Sequence, residues 1–114
     1  SLAPGYTGKT CIGNYFRGTK GGKEKDLFIY NICDHAECYK EVESQAISYT
    51  AGVPAAAAAI LVARGDWNVK KMVNVEELDP TPFIELLDKM GLPTQVLENP
   101  KPFLPPAIES LQSI

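Results

Sequence analysis

Apolar and aromatic side chains crowd into two runs near the start of the chain, T-C-I-G-N-Y-F-R-G-T at residues 10–19 and L-F-I-Y-N-I-C at 27–33. The segment G-T-K-G-G-K lies between them, and glycine-rich punctuation between two β-prone runs is typical of a β-hairpin. Two more strands are predicted at K-K-M-V-N-V, residues 70–75, and at T-Q-V-L-E, residues 94–98.

The region after the hairpin has the three- and four-residue spacing of a helix. Asp34 is the predicted N-cap, and Glu37 lies three residues later, where its side chain can reach the N–H of the cap in a capping box. Apolar residues then recur on one face, at Tyr39, Val42, Ala46 and Tyr49. We expect this helix to end near Thr50.

Gly52 and Pro54 interrupt that spacing. Proline lacks an N–H and its ring clashes with the carbonyl four residues earlier, so either a new helix starts at Pro54 or one helix is kinked there. We favour the new start. The apolar run from Val53 to Ala63 spans eleven residues, short of the roughly 20 that cross a bilayer, and is interpreted as a buried segment.

A helix without a polar face must be covered on all sides. The sheet of so short a chain covers one side, so a second domain or subunit is expected to cover the other. At the predicted helix start, the N–H groups of Ala55 and Ala56 lack partners, Gly52 admits a close approach, and such termini favour anions or polarised acceptors. Ser48 and Thr50 add hydroxyls at the same end.

A third helix is predicted from D-P-T-P-F, with Thr81 as N-cap, Pro82 in the first position and Gly91 at the end. The order β-β-α-α-β-α-β predicts an α+β fold, a sheet with helices packed on one face. We expect one domain at residues 1–98. The prolines at 100, 102, 105 and 106 predict an extended tail at 99–114.

Composition and charge narrow the classes of protein. With 114 residues, 45% hydrophobic and 22% charged, the chain suits one globular domain. A net charge of −3 and a pI near 5.1 provide no basic surface for nucleic acid or an anionic membrane. Three cysteines, at positions 11, 33 and 38, suit a reducing compartment, and the cytoplasm is expected.

Two local motifs have competing interpretations. The segment A-P-G-Y-T-G-K-T at 3–10 fits a relaxed phosphate loop, but a strand follows it where that motif needs a helix, so we disfavour nucleotide binding there. Cys33, His35 and Cys38 could ligate zinc, yet structural zinc sites usually join two distant pairs and cysteine is often simply buried, so no metal is predicted. His35 is a candidate proton donor or an ordinary residue of the first helical turn.

Acidic side chains gather around the first helix and could attract a cationic substrate. The alternative is a solvated helix face with favourable placement of negative charge near the helix N-terminus. The residues concerned are Asp34, Glu37, Glu41 and Glu43.

Three segments resemble carboxynorspermidine dehydrogenases of the saccharopine dehydrogenase family. They are Y-N-I-C-D-H-A-E-C-Y at 30–39, S-Q-A-I-S-Y-T-A-G-V-P-A at 44–55 and V-N-V-E-E-L-D-P-T-P-F at 73–83, followed by M-G-L-P. The resemblance extends from about Gly8 to Pro93. The chain departs from the usual pattern at Ala51, where threonine is usual, and in the alanine run after Pro54.

The resemblance implies the C-terminal substrate and dimerisation domain, with a mixed sheet, of an enzyme whose N-terminal Rossmann domain binds NADP. The implied reaction condenses a diamine with aspartate semialdehyde and reduces the imine with NADPH. A homodimer acting on a small-molecule substrate is expected, and the chain alone is expected to be inactive. The alternatives are a saccharopine dehydrogenase-type enzyme of lysine metabolism and a non-catalytic dimerisation module.

The residue types and the resemblance together suggest roles for particular residues. His35, the only histidine of the chain, is the candidate catalytic residue. The candidate substrate-binding residues are Asp34, Ser48 and Tyr49. The candidate cofactor-binding residues are Thr50, Gly52, Val53 and Pro54, in the turn expected to face the active-site crevice.

Overall fold

A computed structural model describes residues 5–99 of the chain. They form two compact units: a helical unit, which comprises the described residues up to 12 and residues 31–94, and a hairpin unit, which comprises residues 13–30 and 95–99. The elements are β1 Lys9–Lys20, β2 Lys23–Asp34, α1 His35–Val42, α2 Ala46–Arg64, a 3-10 turn Val75–Glu77, α3 Thr81–Lys89 and β3 Gln95–Glu98. The predicted α+β class is confirmed. The predicted proline-rich tail lies outside the described residues, apart from Asn99.

The sheet has the order β1-β2-β3, which confirms the three strands predicted at 10–19, 27–33 and 94–98. Gly21 and Gly22 join β1 to β2 with φ of +60° and +76°, and a two-residue hairpin loop with positive φ at both positions is the turn that matches the strand twist. β3 runs antiparallel to β2, with Leu27 opposite Glu98 and Tyr30 opposite Gln95. Where we expected a mixed sheet, the strands that the structure describes are antiparallel.

The hairpin unit is organised around the buried carboxylate of Asp26. Arg17 donates to it twice, from Nε at 3.0 Å and from Nη2 at 3.1 Å, and the Tyr15 hydroxyl donates at 2.6 Å. The hydrogen bond to Asp26 raises the pKa of the Arg17 guanidinium above its ordinary value. Asn99 adds a backbone hydrogen bond to the carbonyl of Asp26 at 2.8 Å.

In the helical unit, α1 begins where the sequence predicted. Asp34 is the N-cap, and its Oδ1 accepts from the N–H groups of Ala36 and Glu37 at 2.9 and 3.1 Å. The N–H of Glu37 is the main reason that the pKa of Asp34 lies below its usual range. The side chain of Glu37 pairs with Lys40 Nζ at 2.7 Å instead of completing a capping box.

The predicted boundary between the first two helices is wrong. α1 ends at Val42, Glu43 adopts a left-handed φ of +52°, and α2 then runs without interruption from Ala46 to Arg64 with Pro54 inside it. Pro54 removes one hydrogen bond, the one to the carbonyl of Thr50. The 19-residue helix continues past this lost hydrogen bond because its alanine-rich sequence favours a helix and because its buried side is packed.

One stripe of α2 is buried and the rest lies open in this chain. The buried residues are Ala46, Tyr49, Ala57 and Leu61. The exposed apolar residues include Ile47 and Val62. By length and composition α2 could cross a membrane. Of its apolar 18-residue stretch, 22% is buried within the chain. A core helix of a soluble protein has the same length and composition. The eleven-residue apolar run from Val53 to Ala63 is thus only part of a longer helix.

The strand predicted at residues 70–75 is wrong, because the described chain is irregular there and enters the short turn Val75–Glu77. A strand needs a partner to satisfy its backbone groups, and Met72 is almost fully exposed. The N-cap of α3 is Pro80, one residue before the predicted cap Thr81. Asp79 Oδ1 accepts from the N–H of Thr81 at 3.0 Å. Gly91, at φ +85°, follows the end of α3 as predicted.

The core of the helical unit joins the three helices to the loop that precedes α3. Trp67 is buried, stacks on Phe83 with 5.5 Å between ring centroids, and donates from Nε1 to the carbonyl of Asp79 at 3.0 Å. The buried apolar residues are Cys33, Cys38, Ala46, Tyr49, Ala57, Leu61, Trp67, Leu86, Leu87 and Leu92. This packing places the end of α3 beside the first half of α2, where the candidate site lies.

Candidate functional site

A pocket of about 400 Å³ opens in the helical unit beside the end of α1, the first half of α2 and the end of α3. We call it the Glu41 pocket. Its polar side chains are Glu41, Ser44, Ser48 and Tyr49. Val42, Gly52, Val53 and Met90 complete its lining. The volume suits a small ligand, and a mainly apolar wall with a few convergent polar groups is typical of small-molecule sites.

Tyr49 is the buried centre of this pocket. Its hydroxyl donates to the carbonyl of Met90 at 2.8 Å and lies 3.2 and 3.4 Å from the two carboxylate oxygens of Glu41. Burial raises the pKa of Tyr49 above its ordinary value, and the negative charge of Glu41 raises it further. The phenol therefore stays protonated at neutral pH.

Gly91 makes room for Tyr49. A Cβ at residue 91 would lie 2.8 Å from the Tyr49 hydroxyl, and the backbone there has a positive φ. Both observations require glycine at this position. The helix terminator that the sequence predicted thus also leaves the space that the Tyr49 hydroxyl occupies.

The structure brings some of the predicted site residues together. Ser48, Tyr49, Gly52 and Val53 all line the Glu41 pocket. Thr50 lies on the same helix but donates its hydroxyl to the carbonyl of Ile47 at 3.2 Å.

The physical reason given for a cofactor site at Thr50 to Pro54 is wrong. α2 starts at Ala46, so residues 52–56 lie inside the helix rather than at its N-terminus and offer no unpartnered first-turn N–H groups. Gly52 is not a helix terminator either, since its φ is not positive and a Cβ there would meet nothing within 4 Å. What remains at Gly52 is open space on an exposed helix surface.

His35 lies in a different, smaller cavity of about 190 Å³ that is also lined by Tyr6, Tyr39 and Lys40. Its Nδ1 accepts from the N–H of Ala46 at 3.2 Å, and its Nε2 lies 3.4 Å from Thr10 Oγ1. Acceptance at Nδ1 places the proton of a neutral imidazole on Nε2.

His35 thus supplies a partner to the first N–H of α2, which sequence analysis did not predict. The Tyr6 ring packs edge-on against the imidazole, with 4.7 Å between centroids. Proton transfer by His35 stays a prediction, and it would require the ring to give up one of its two polar contacts.

The acidic residues around α1 have separate roles. Asp34 caps α1, Glu37 pairs with Lys40, and Glu41 faces the pocket. The pocket lining does not include Asp34, the predicted substrate ligand.

The two cysteines near His35 contact each other, with 2.8 Å between the Sγ atoms of Cys33 and Cys38. Burial, followed by the hydrogen bond shared with Cys33, raises the pKa of Cys38 to about 12. Both thiols are buried, whereas Cys11 is exposed. Among residues 5–99, no group of three or more His, Cys, Asp and Glu side chains is arranged to hold a metal ion.

The Glu41 pocket offers no cationic side chain for the phosphates of a nicotinamide dinucleotide. A Cβ at Gly52 would meet nothing within 4 Å, so the helix surface there is open. The pocket lining has no Lys or Arg, and the helix interior at 52–56 offers no free N–H groups for a pyrophosphate. A phosphate-binding loop would have to come from outside the described residues.

The fold is of the α+β class, and its helical unit contains a pocket whose size suits a small molecule. Residues 1–92 match the Saccharopine dehydrogenase C-terminal domain family, and the chain belongs to this family.

The chain is similar over most of its length to enzymes of known name. It is 55% identical over 98 residues to the carboxynorspermidine synthase of Vibrio alginolyticus and 50% identical over 98 residues to that of Vibrio cholerae. It is 52% identical over 104 residues to the carboxyaminopropylagmatine dehydrogenase of Synechocystis. These matches cover 86%, 86% and 90% of this chain. The chain spans only 24% to 26% of the length of these relatives.

Sequence analysis missed Glu41, Met90 and Gly91 as parts of one site. Glu41 was grouped with the other acidic residues because sequence spacing does not separate a solvated carboxylate from one facing a pocket. A helix break at residues 43–45 would have been the useful signal, since it turns the end of α1 toward Tyr49.

Proposed function

We propose that this chain is the C-terminal portion of an NADP-dependent oxidoreductase that joins a diamine to aspartate semialdehyde, giving a carboxynorspermidine-type product. The observation that carries the proposal is 50–55% identity, over 86–90% of the chain, to enzymes named for such products. The same names favour a polyamine-type amine over the substrate of a lysine-pathway saccharopine dehydrogenase.

The proposed reaction has two steps, imine formation and imine reduction. The amine attacks the aldehyde carbon, water is lost, and an imine forms; reduction of its carbon and protonation of its nitrogen then give a secondary amine. A nicotinamide cofactor supplies the hydride when bound, and its phosphates would be held by protein outside the described residues.

This chain would contribute the pocket for the amine half of the reaction. Tyr49 and Gly91 hold the shape of the pocket, and Val42 and Val53 offer apolar surface to the methylene groups of a diamine. Gly52 leaves the helix surface open, so that a reacting group can approach α2 closely. An exposed glycine inside a helix is otherwise unfavourable relative to alanine by about 0.5–1 kcal/mol.

The test uses the full-length protein that contains this chain. NADPH oxidation is followed by absorbance with a diamine and aspartate semialdehyde, and each substrate is omitted in turn. We expect turnover only when all three are present. The absence of turnover with any diamine would sink the proposed reaction.

A matched pair of variants links that turnover to the pocket. Gly52→Val should lower kcat/KM at least tenfold because the valine side chain fills the open surface of the pocket. Gly18→Val, at an exposed glycine of β1 where a Cβ also meets nothing within 4 Å, is the control and should keep kcat/KM within about twofold, a change of less than roughly 0.5 kcal/mol in transition-state binding. Equal losses in both variants, or a fall in melting temperature that explains the loss, would remove Gly52 from the site.

The exposed apolar face of α2 favours a second role in assembly. Ile47 and Val62 are 57% and 45% exposed in this chain, and exposed apolar patches mark interaction surfaces. We propose that another domain or a second subunit covers this face, as in a homodimer. Light scattering on the full-length protein tests the dimer, and a mass that stays monomeric at all concentrations would oppose it.

A further inference from the structure

Three hydrogen-bond acceptors of the Glu41 pocket converge on the single proton of the Tyr49 hydroxyl. The Tyr49 hydroxyl has one proton, and three oxygens lie within reach of it: the Met90 carbonyl and both oxygens of Glu41. The shortest contact, 2.8 Å, is to Met90. When the proton is donated there, the carboxylate of Glu41 receives no hydrogen from the phenol, although it lies 3.2 Å away.

The negative charge is not neutralised by the lining of the pocket. Its eight residues include one carboxylate and no Lys, Arg or His. Lys40, the neighbour of Glu41 in sequence, pairs with Glu37 at 2.7 Å on the outer side of α1. A ligand that brings several N–H donors and a positive charge would satisfy the acceptors that the protein leaves open.

We propose that the Glu41 carboxylate, the Tyr49 oxygen and the Met90 carbonyl bind the ammonium group of the amine substrate. An ammonium has three donors and no acceptor, which matches this set of three acceptor groups. The identification of the ligand as a diamine rests on the proposed function, whereas the preference of the pocket for a primary ammonium rests on its own geometry.

The shape of the pocket is consistent with a short diamine. Val42 and Val53 line it, so the methylene groups of the ligand gain apolar contact while one ammonium end lies at Glu41. Ser44 and Ser48 provide hydroxyls that can rotate to accept or donate. Glu41 is therefore a residue for amine recognition, and the second nitrogen of the diamine is the one left to react.

The test measures binding and turnover on the full-length protein. Isothermal titration with 1,3-diaminopropane, without aldehyde or NADPH, compares wild type with Glu41→Gln, which keeps the shape and removes the charge. The dissociation constant should rise about 10- to 100-fold, the range expected for loss of one charge-assisted hydrogen-bonded contact. Glu85→Gln, which neutralises an exposed carboxylate on α3, is the matched control and should bind as wild type does.

Steady-state kinetics give a second readout. Glu41→Gln should raise the KM for the diamine by a similar factor and leave the KM for aspartate semialdehyde unchanged. Tyr49→Phe keeps the ring and removes one of the three acceptors, so a smaller rise in the dissociation constant is expected. Melting temperatures of all variants show whether each one folds.

The outcomes separate this inference from the proposed reaction. If wild type binds the diamine, Glu41→Gln does not, and no turnover occurs, the ammonium site stands and the proposed reaction falls. If turnover occurs and Glu41→Gln has wild-type binding and KM, the reaction stands and the ammonium site is overturned. A wild-type protein that shows no binding of the diamine also overturns the site.

Discussion

The helical unit and the hairpin unit have opposite kinds of interior. The helical unit buries a contiguous set of apolar side chains, with Leu61 only 2% exposed and Trp67 only 5% exposed. The most buried side chain of the hairpin unit that the structure describes is a carboxylate, Asp26, which Arg17 and Tyr15 satisfy.

This difference explains where the pocket lies. Close-packed apolar helices can hold a tyrosine in a fixed position, and the end of α3 places a backbone acceptor, the Met90 carbonyl, beside its hydroxyl. In the hairpin unit, Arg17 pairs with Asp26 and Lys25 pairs with Glu98. Stability should therefore depend on volume in the helical unit and on hydrogen-bond partners in the hairpin unit.

The largest effect is expected for Leu61→Ala in the helical unit. Removing a fully buried leucine side chain should lower the free energy of unfolding by about 3 kcal/mol, because the surroundings collapse only partly into the cavity. Urea unfolding followed by the fluorescence of Trp67, the one tryptophan of the chain, measures it. Val62→Ala, at a site 45% exposed, is the matched control and should change stability by less than about 1 kcal/mol. Equal effects would show that α2 is not packed as described.

A smaller effect is expected for Asp26→Ala in the hairpin unit. The loss should be about 1–2 kcal/mol, because Arg17, whose side chain is 48% exposed, can turn to water when its partner is removed. Amide hydrogen exchange should show faster exchange along β1 and β2. Glu24→Ala changes an exposed carboxylate on the same strand and serves as control. Unchanged exchange in Asp26→Ala would mean that the cluster does not stabilise the hairpin.

The smallest effect concerns pH. Burial raises the pKa of Cys38 from 9.0 to about 12, so this thiol stays neutral in the folded chain where it would ionise in the unfolded one. Its contribution to stability is complete below pH 9 and is lost as pH rises toward 12. Tyr49, with a raised pKa, acts in the same direction.

Cys38→Ala should flatten the decline of unfolding free energy between pH 9 and 12, the interval between the ordinary and the raised pKa of this thiol. Cys11→Ala, at an exposed thiol of β1, should leave that decline as it is in wild type. Urea unfolding at a series of pH values measures both. A decline that is the same in all three proteins would show that Cys38 does not carry this pH dependence.

Sequence by itself determined the parts of the structure that depend on near neighbours. The hairpin at 10–33 followed from two β-prone runs around glycines, the start of α1 from Asp34, and the end of α3 from Gly91. The family was also evident in the sequence, because its motifs are contiguous segments. In each case the deciding residues lie within a few positions of one another.

Tertiary structure decided what depends on residues far apart in the chain. α2 continues through Pro54 because one lost hydrogen bond is outweighed by the packing of Ala57 and Leu61. Residues 70–75 form no strand because no strand within residues 5–99 pairs with them. Glu41 and Met90, 49 positions apart, meet at Tyr49 only after α1, α2 and α3 have packed. Local spacing encodes a helix or a turn, whereas the surroundings of a carboxylate are set by the elements that fold around it.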